Sequence, residues 1–333
     1  MRISGLAGGH NKQPVVVLVN CAVGGELTVV CDLLTRSLNT PTVLIGQADL
    51  ASIPISLDLS AGLLSIDGVW IRPAVFWARH SSAGAIAAQG RRTGRLGSLD
   101  AAAWAGFLAQ LATVTTAALP GSAPGALGQL ADAQTLGVRT PRTVVTTDVM
   151  AGVRQLPAKR VIVKTPDFRV FEPDQRKWPA CWPAVVDGVP VADGRPLADG
   201  GPLADDQAAG HPVLVQEYVP HARELRVYYL DGGICAFEVR KPDPSSPWTD
   251  PGSVTVTQAD CPATAAEAVR TLCAAWDLRY GAFDLLMSSS GEPVFLEVNR
   301  DGDWLWYERK AHWHGVSFMA AVMVRELFVR VTS

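Results

Sequence analysis

The sequence is poor in charge and in cysteine, and both shortages exclude whole classes of protein. Of its 333 residues only 18% are charged, and the formal net charge is −3. The chain therefore lacks the basic surface of a nucleic-acid-binding protein and the polybasic patch that holds a protein to a membrane. Its six cysteines are irregularly spaced, without a CxxC pair or a Cys/His cluster at zinc spacing. They predict reduced, buried thiols rather than disulfides or a zinc site.

Export signals and membrane spans are also missing from the sequence. Residues 15–19 are apolar, but the run has only the length of a strand, and no cleavage site follows it. Residues 101–119 carry no charge, yet they are largely Ala, Thr and Gln. Their transfer into a bilayer is therefore near neutral, and an internal helix is expected. A cytoplasmic protein without membrane contact is the expectation that follows.

The sequence does contain enough apolar residues for a large core. They make up 48% of the chain, and the length suggests two or three compact units. Strand 15–19, helix 27–37 and strand 42–45 predict an N-terminal α/β unit with parallel strands, which ends at residue 72. Beyond residue 213, hairpins alternate with helices, which predicts an α+β arrangement with one open face.

Two arginines and a repetitive segment stand out from this background. Arg72 and Arg79 bracket the apolar residues 73–77, and both are expected at the surface, with the mouth of a cleft as the alternative. Residues 83–119 are alanine-rich and predicted to be helical. Residues 189–206 consist of three similar hexapeptides. They predict a duplicated surface loop that could act as a lid, with calcium-binding repeats as the alternative.

A hairpin near the end of the chain carries the strongest chemical signal. Its two apolar strands flank a turn at Ser290-Gly291, which places Asp284 opposite Glu297. The period of two puts Asn299 on the same face. Like charges directly opposed in apolar strands are destabilising. A divalent cation removes this cost, and oxygen ligands of this kind suit Mg²⁺. The alternative is a solvated polar face on an edge hairpin.

An earlier hairpin combines glutamates with arginines. A three-residue loop at 231–233 makes Glu224 meet Arg240 and Arg226 meet Glu238 on one face, while the other face is apolar. One interpretation is a site in which a glutamate binds ribose hydroxyls and the arginines hold phosphate or carboxylate oxygens. The alternative is a row of surface ion pairs worth less than about 1 kcal/mol.

The ends of two further strands also stand out. Residues 160–164 form an apolar strand that ends on Lys164, and Gln216-Glu217-Tyr218-Val219 ends a second strand just before Pro220. In a nucleotide cleft Lys164 would hold a phosphate. The alternative is a lysine that extends from a strand end into solvent.

Taken in order, these segments resemble the ATP-grasp superfamily of carboxylate ligases. The resemblance begins near residue 136, and residues 280–284 and 295–306 are similar to the C-terminal signature of graspetide (microviridin-type) peptide ligases. It implies an α/β, or α+β, ATP-grasp fold behind an N-terminal α/β domain. The implied divisions are an N-terminal domain at 1–120, a central subdomain at 121–212 and a C-terminal subdomain at 213–333.

The resemblance also implies which residues form the site. They would be the nucleotide-binding Lys164, Gln216, Glu217, Tyr218, Val219 and Glu224, the catalytic Arg226 and Arg240, and the magnesium ligands Asp284, Glu297 and Asn299. The sequence departs from the pattern in two places. Arg300 stands where proline is usual, and residues 121–139 contain no early phosphate lysine.

The implied function is a ligase that uses ATP and Mg²⁺ to activate a carboxylate as an acyl phosphate. An amine or hydroxyl would then give an amide or ester, and the graspetide likeness implies a ribosomal peptide as substrate. It also allows a homodimer. A ligase for free amino acids or other small acids is the alternative within this class. Since the early lysine is missing, a non-catalytic nucleotide-binding protein on the same fold is the alternative from another class.

Overall fold

The chain forms three β-sheets with helices packed on their faces. This computed structural model describes residues 2–4, 13–21, 24–94, 97–156, 158, 160–166, 184–187, 212–242 and 252–333. The repetitive segment at 189–206, predicted to be a lid, lies outside the described residues.

The N-terminal sheet has seven strands in the order β1-β3-β2-β6-β5-β4, with β7 also paired to β6. The strands β2, β3, β6 and β7 run parallel, as the sequence predicts for the first two. The elements of this unit are β1 (Arg2–Ser4), β2 (Pro14–Asn20), α1 (Glu26–Arg36), β3 (Thr42–Gly46), α2 (Gln47–Leu50), β4 (Ile55–Asp58), β5 (Leu63–Ile66), β6 (Val69–Arg79), α3 (Ala83–Thr93), α4 (Ser98–Val114) and β7 (Ala117–Leu119).

Strand β6 corrects the prediction that this unit ends at residue 72. It continues to Arg79 and pairs with β2 in the middle of the sheet. Pro73 is tolerated there because the register between the two strands shifts beside it, so that the missing amide falls at an irregularity. Arg72 is exposed, as expected, whereas Arg79 is buried, which contradicts the expected surface position.

The central sheet has four antiparallel strands in the order β10-β9-β11-β8. Its elements are α5 (Ala126–Thr135), β8 (Thr143–Thr146), α6 (Val149–Gln155), β9 (Arg160–Lys164), β10 (Ala184–Asp187) and β11 (Val213–Glu217). Strand β9 has the predicted bounds. Strand β11 pairs with β8 and β9 of this sheet. The subdomain boundary implied after residue 212 would therefore assign β11 to a different subdomain from the strands with which it pairs.

The C-terminal sheet has five strands in the order β14-β13-β12-β15-β16. Its elements are β12 (Arg223–Leu230), β13 (Gly233–Arg240), β14 (Thr255–Ala259), α7 (Ala263–Ala275), β15 (Tyr280–Met287), β16 (Pro293–Asn299), α8 (Leu305–Ala311) and α9 (Gly315–Thr332). Helix α9 packs back on the N-terminal unit, where Val324 and Leu327 share a buried cluster with Leu27 and Val30 of α1. In the described part of the chain, no helix combines the length and hydropathy that a membrane span requires.

The hairpin of β12 and β13 has a different register from the one predicted. Its turn contains two residues, Asp231 and Gly232, with φ values of 48° and 104°. Two successive positive φ angles are the requirement of the tight hairpin turn that Asp-Gly favours. Because the predicted loop is one residue too long, every side chain of β13 lies on the face opposite to the predicted one. Glu224 is opposite Val239 and Arg226 is opposite Phe237, so the predicted pairings with Arg240 and Glu238 are wrong.

Candidate active site

The predicted acidic pair lies in a row of charges that crosses three strands. Arg226 on β12 is directly opposite Asp284 on β15, and Asp284 is directly opposite Glu297 on β16. Asn299 lies two residues beyond Glu297 and therefore on the same face. The predicted opposition of Asp284 and Glu297 is confirmed.

The pairing of these two strands depends on two irregularities that the sequence analysis missed. Met287 is opposite Pro293, so the turn is offset by one residue from the predicted one. A register shift between Asp284 and Leu285 then restores the predicted pairing in the rest of the hairpin. Such bulges are common beside functional sites because they change the direction in which a side chain points.

Two basic side chains neutralise the acidic pair. Arg226 Nη1 donates to both carboxylate oxygens of Asp284, at 2.9 and 2.8 Å. Lys164 Nζ lies 3.5 Å from Glu297 Oε2. Lys164 ends β9 of the central sheet, whereas Glu297 belongs to the C-terminal sheet. The two sheets therefore meet at this ion pair, and the lysine predicted from a strand end reaches the predicted acidic pair.

The electrostatics of the pair fit a cation site. The pKa of Asp284 is raised to about 6, chiefly by burial; Arg226 acts against this increase, and Glu297 adds to it. Burial also disfavours the charge on Arg226, but Asp284, Tyr307 and Tyr228 together raise the pKa of the guanidinium overall. Two carboxylates that disfavour each other's charge gain most from a divalent ion held between them.

The residues present are suited to a magnesium ion that is shared with a bound phosphate. Asp284, Glu297 and Asn299 offer only oxygen atoms, the ligand type that Mg²⁺ prefers. No group of three or more His, Cys, Asp and Glu side chains in the described residues could hold a metal alone. Mg²⁺ commonly takes one or two carboxylates and completes its shell with water and substrate phosphates. The donor set therefore fits this metal together with a nucleotide.

A second ion pair, between Glu224 and Lys241, extends the site along the same face. Glu224 Oε2 lies 3.0 Å from Lys241 Nζ, and both side chains are largely buried. Lys241 was missed by the sequence analysis. The signal was present, because with the Asp-Gly turn in place Val239 lies opposite Glu224, and Lys241 follows on the same face.

Arg240, predicted as a catalytic arginine, is not brought to this face. Its Nε donates to Glu238 Oε1 at 2.7 Å, and its side chain is 72% exposed. Arg223 Nε donates to the other oxygen of Glu238, also at 2.7 Å. Burial works against the charge of Glu238, but the hydrogen bonds from Arg240 and Arg223 lower its pKa overall. These three residues form an ion-pair group on the opposite side of the sheet.

The predicted hinge presents backbone rather than side chains. Gln216 is buried, and its Nε2 donates to Thr143 Oγ1 at 2.9 Å. Tyr218 lies with its ring 4.3 Å from the Arg160 guanidinium carbon. Val219 is buried, and its amide N–H has no hydrogen-bond partner among the described residues. A purine ring could therefore take a hydrogen bond from this amide.

The turn after Asn299 is held by donors from three different strands. Arg79 Nη2 donates to the carbonyl of Asp301 at 2.7 Å, Tyr280 donates to that of Gly302, and Tyr228 donates to that of Asp303 at 2.5 Å. A side chain at position 302 would clash, since a Cβ there would lie 2.6 Å from Arg226 Nη2. The buried Arg79 therefore ties the N-terminal sheet to the strand end that carries Asn299.

Comparisons with known proteins agree with this arrangement. No protein-family model and no curated protein matches the chain. Among solved structures, the ATP-grasp ligase PsnB, complexed with a phosphomimetic variant of minimal precursor, Mg and ADP, superposes with a TM-score of 0.69 at 17% identity. The match covers 95% of this chain and 98% of that one. The chain has the ATP-grasp fold.

Two other solved structures show how far this likeness extends. The macrocyclase MdnC of Microcystis aeruginosa, bound with precursor peptide MdnA, gives a TM-score of 0.67 at 16% identity, covering 94% of this chain and 99% of that one. VanG D-Ala:D-Ser ligase of Enterococcus faecalis gives 0.56 at 12% identity, covering 97% and 100%. Since nearly whole chains superpose, the N-terminal sheet is part of the shared ATP-grasp architecture.

Arg240 and Lys241 lie on opposite faces of the hairpin, and their different surroundings lead to two matched predictions. We expect ATP to bind beside Glu224 with one of its phosphate oxygens on Lys241, so that Lys241→Gln raises the dissociation constant for ATP roughly ten- to a hundredfold through loss of a charge-assisted contact. The neighbouring Arg240→Gln should change it by less than about twofold, since that side chain is exposed on the other face. Isothermal titration calorimetry measures both constants. Equal effects of the two variants would contradict the register of this hairpin.

Proposed function

We propose that the protein is an ATP- and Mg²⁺-dependent ligase that joins a carboxylate of a ribosomal precursor peptide to an amine or hydroxyl. The observation that carries the proposal is the contact between two sheets, where Lys164 of the central sheet meets Glu297 of the C-terminal sheet beside Asp284. The solved structures of PsnB with minimal precursor, Mg and ADP, and of MdnC with MdnA, support a peptide as the substrate.

Nucleotide binding would use residues of both the central and the C-terminal sheet. The amide of Val219 would donate to the adenine ring, and Glu224 would accept from the ribose hydroxyls. Lys164 and Lys241 would exchange their carboxylate partners for phosphate oxygens. Lys241 would then supply a second cation in a chain that lacks a lysine at residues 121–139.

The metal ligands would be Asp284, Glu297 and Asn299, and the bound magnesium would supply positive charge at the phosphate oxygens. Arg226 keeps its charge in the buried site and can donate to the oxygens of the reacting carboxylate and phosphoryl group. The substrate carboxylate oxygen bonds to the γ-phosphorus as the bond to ADP breaks. The acceptor nitrogen or oxygen then attacks the acyl carbon and loses its proton, and inorganic phosphate leaves.

The test is ADP formation by the purified protein with ATP, Mg²⁺ and peptides that contain Asp or Glu together with Lys, Ser or Thr. We expect ADP release that depends on the peptide, with loss of one water from the peptide for each bond formed. The matched control peptide carries Asn and Gln in place of Asp and Glu. Mild alkaline hydrolysis, which cleaves esters and spares amides, assigns the bond.

The alternatives predict different outcomes of the same assay. A ligase for free amino acids, such as the D-Ala:D-Ser ligase VanG, would release ADP with amino acids and not with peptides. A non-catalytic binding protein would bind ATP without turnover on any acceptor.

A further inference from the structure

The strand that carries two of the proposed metal ligands lies at the edge of its sheet. Within the described residues the C-terminal sheet ends with β16, and Glu297 and Asn299 are separated on it by the single residue Val298. An edge strand has no neighbour to fix its outer backbone groups. Any rotation of the backbone at Val298 would move both ligands at once, because they flank it on the same face.

Gln129 of α5 takes the place of the missing neighbour. Its Oε1 accepts from the amide of Val298 at 2.9 Å, and its Nε2 donates to the carbonyl of the same residue at 3.2 Å. Gln129 is only 4% exposed. The side-chain amide therefore pairs with Val298 as a neighbouring strand would, with both hydrogen bonds out of contact with water.

The glutamine is itself held in one position. Its Nε2 also donates to the carbonyl of Pro124 at 3.0 Å. Two later residues of the same helix, Leu130 and Ala133, are buried in a cluster that includes Val298. Helix α5 is thus packed on the strand, and Gln129 cannot move away without disturbing that core.

We propose that Gln129 is a positioning residue for the metal site, acting through the backbone of Val298 on Glu297 and Asn299. This inference rests on the proposed function, since it assumes that these residues hold magnesium with a nucleotide. Residues that orient metal ligands commonly change metal affinity ten- to a hundredfold when they are replaced. We expect an effect of that size from Gln129, although it touches neither metal nor substrate.

The test is metal binding by the full chain with ADP, with Mn²⁺ as the probe and electron paramagnetic resonance as the readout. Gln129→Met keeps the volume of the side chain and removes both hydrogen bonds to Val298. Its dissociation constant for Mn²⁺ should rise ten- to a hundredfold. The matched control is Gln134→Met on the same helix, where the exposed amide donates to Thr140 Oγ1 instead. This control should bind Mn²⁺ as the wild type does.

The outcomes separate positioning from mere stability. A lower melting temperature with an unchanged Mn²⁺ dissociation constant would overturn the proposal. If Gln129→Met does not fold, Gln129→Asn decides, because it keeps the neutral amide but is one methylene too short to reach Val298; its unchanged Mn²⁺ affinity would overturn the proposal equally. A wild type that binds Mn²⁺ with ADP but forms no product would end the proposed function and leave this inference standing.

Discussion

Glu297→Gln should reduce ADP formation by about 10³-fold or more and leave the fold intact. The substitution removes one of two opposed carboxylates, and the metal ion that they would hold lowers the activation barrier by several kcal/mol. The side chain is 30% exposed, and its contact with Lys164 is the only cost to stability expected. The melting temperature should therefore change by no more than about 3 °C. Steady-state ADP release and thermal unfolding by circular dichroism measure the two quantities.

A matched control for this variant exists next to the same strand. Glu292 immediately precedes β16, is half-exposed, and contacts only Arg139 among the charged side chains of the described residues. Glu292→Gln should keep nearly full activity. If Glu297→Gln also kept full ligase activity, the carboxylate would have no part in metal binding, and the assignment of Asp284 and Asn299 would lose its basis.

Arg79→Met should lower the free energy of unfolding by about 3–5 kcal/mol, as expected when one partner of a buried ion pair is removed. Arg79 is 1% exposed, with Nη1 at 3.7 Å from Glu26 and Nη2 at 2.9 Å from Asp303. Without it, the buried Glu26 loses its cation and the carbonyl of Asp301 loses its donor. Urea denaturation followed by tryptophan fluorescence measures the change.

The exposed arginine of the same strand serves as the control for this prediction. Arg72→Met removes the same charge from β6 and should alter the free energy of unfolding by less than about 0.5 kcal/mol. A double variant, Arg79→Met with Glu26→Gln, should recover part of the lost free energy of unfolding, because the buried Glu26 carboxylate is then no longer present without its cation. A loss below about 1 kcal/mol for Arg79→Met would show that the pair with Glu26 does not stabilise the fold.

The two hairpins show where reasoning from the sequence succeeds and where it fails. In the second, Asp284 and Glu297 face each other as predicted, although the turn was misplaced by one residue and a bulge corrected the register. In the first, the same one-residue error had no compensating bulge, and it assigned Arg240 to the wrong face. The Asp-Gly pair carries the information needed to avoid that error, since it favours a two-residue turn.

The sequence by itself determined which polar side chains the strands carry and in what order they follow along the chain, from Lys164 at the end of β9 to Asn299 at the end of β16. Alternation with a period of two is a local property, so it fixes which side chains share a face. Only the tertiary structure decided that Lys164 meets Glu297, that Arg79 is buried against Asp301 and Glu26, and that Gln129 pairs with Val298. These contacts join segments that are distant in the chain. Their positions follow from the packing of separate sheets and helices, which no periodicity within either segment records.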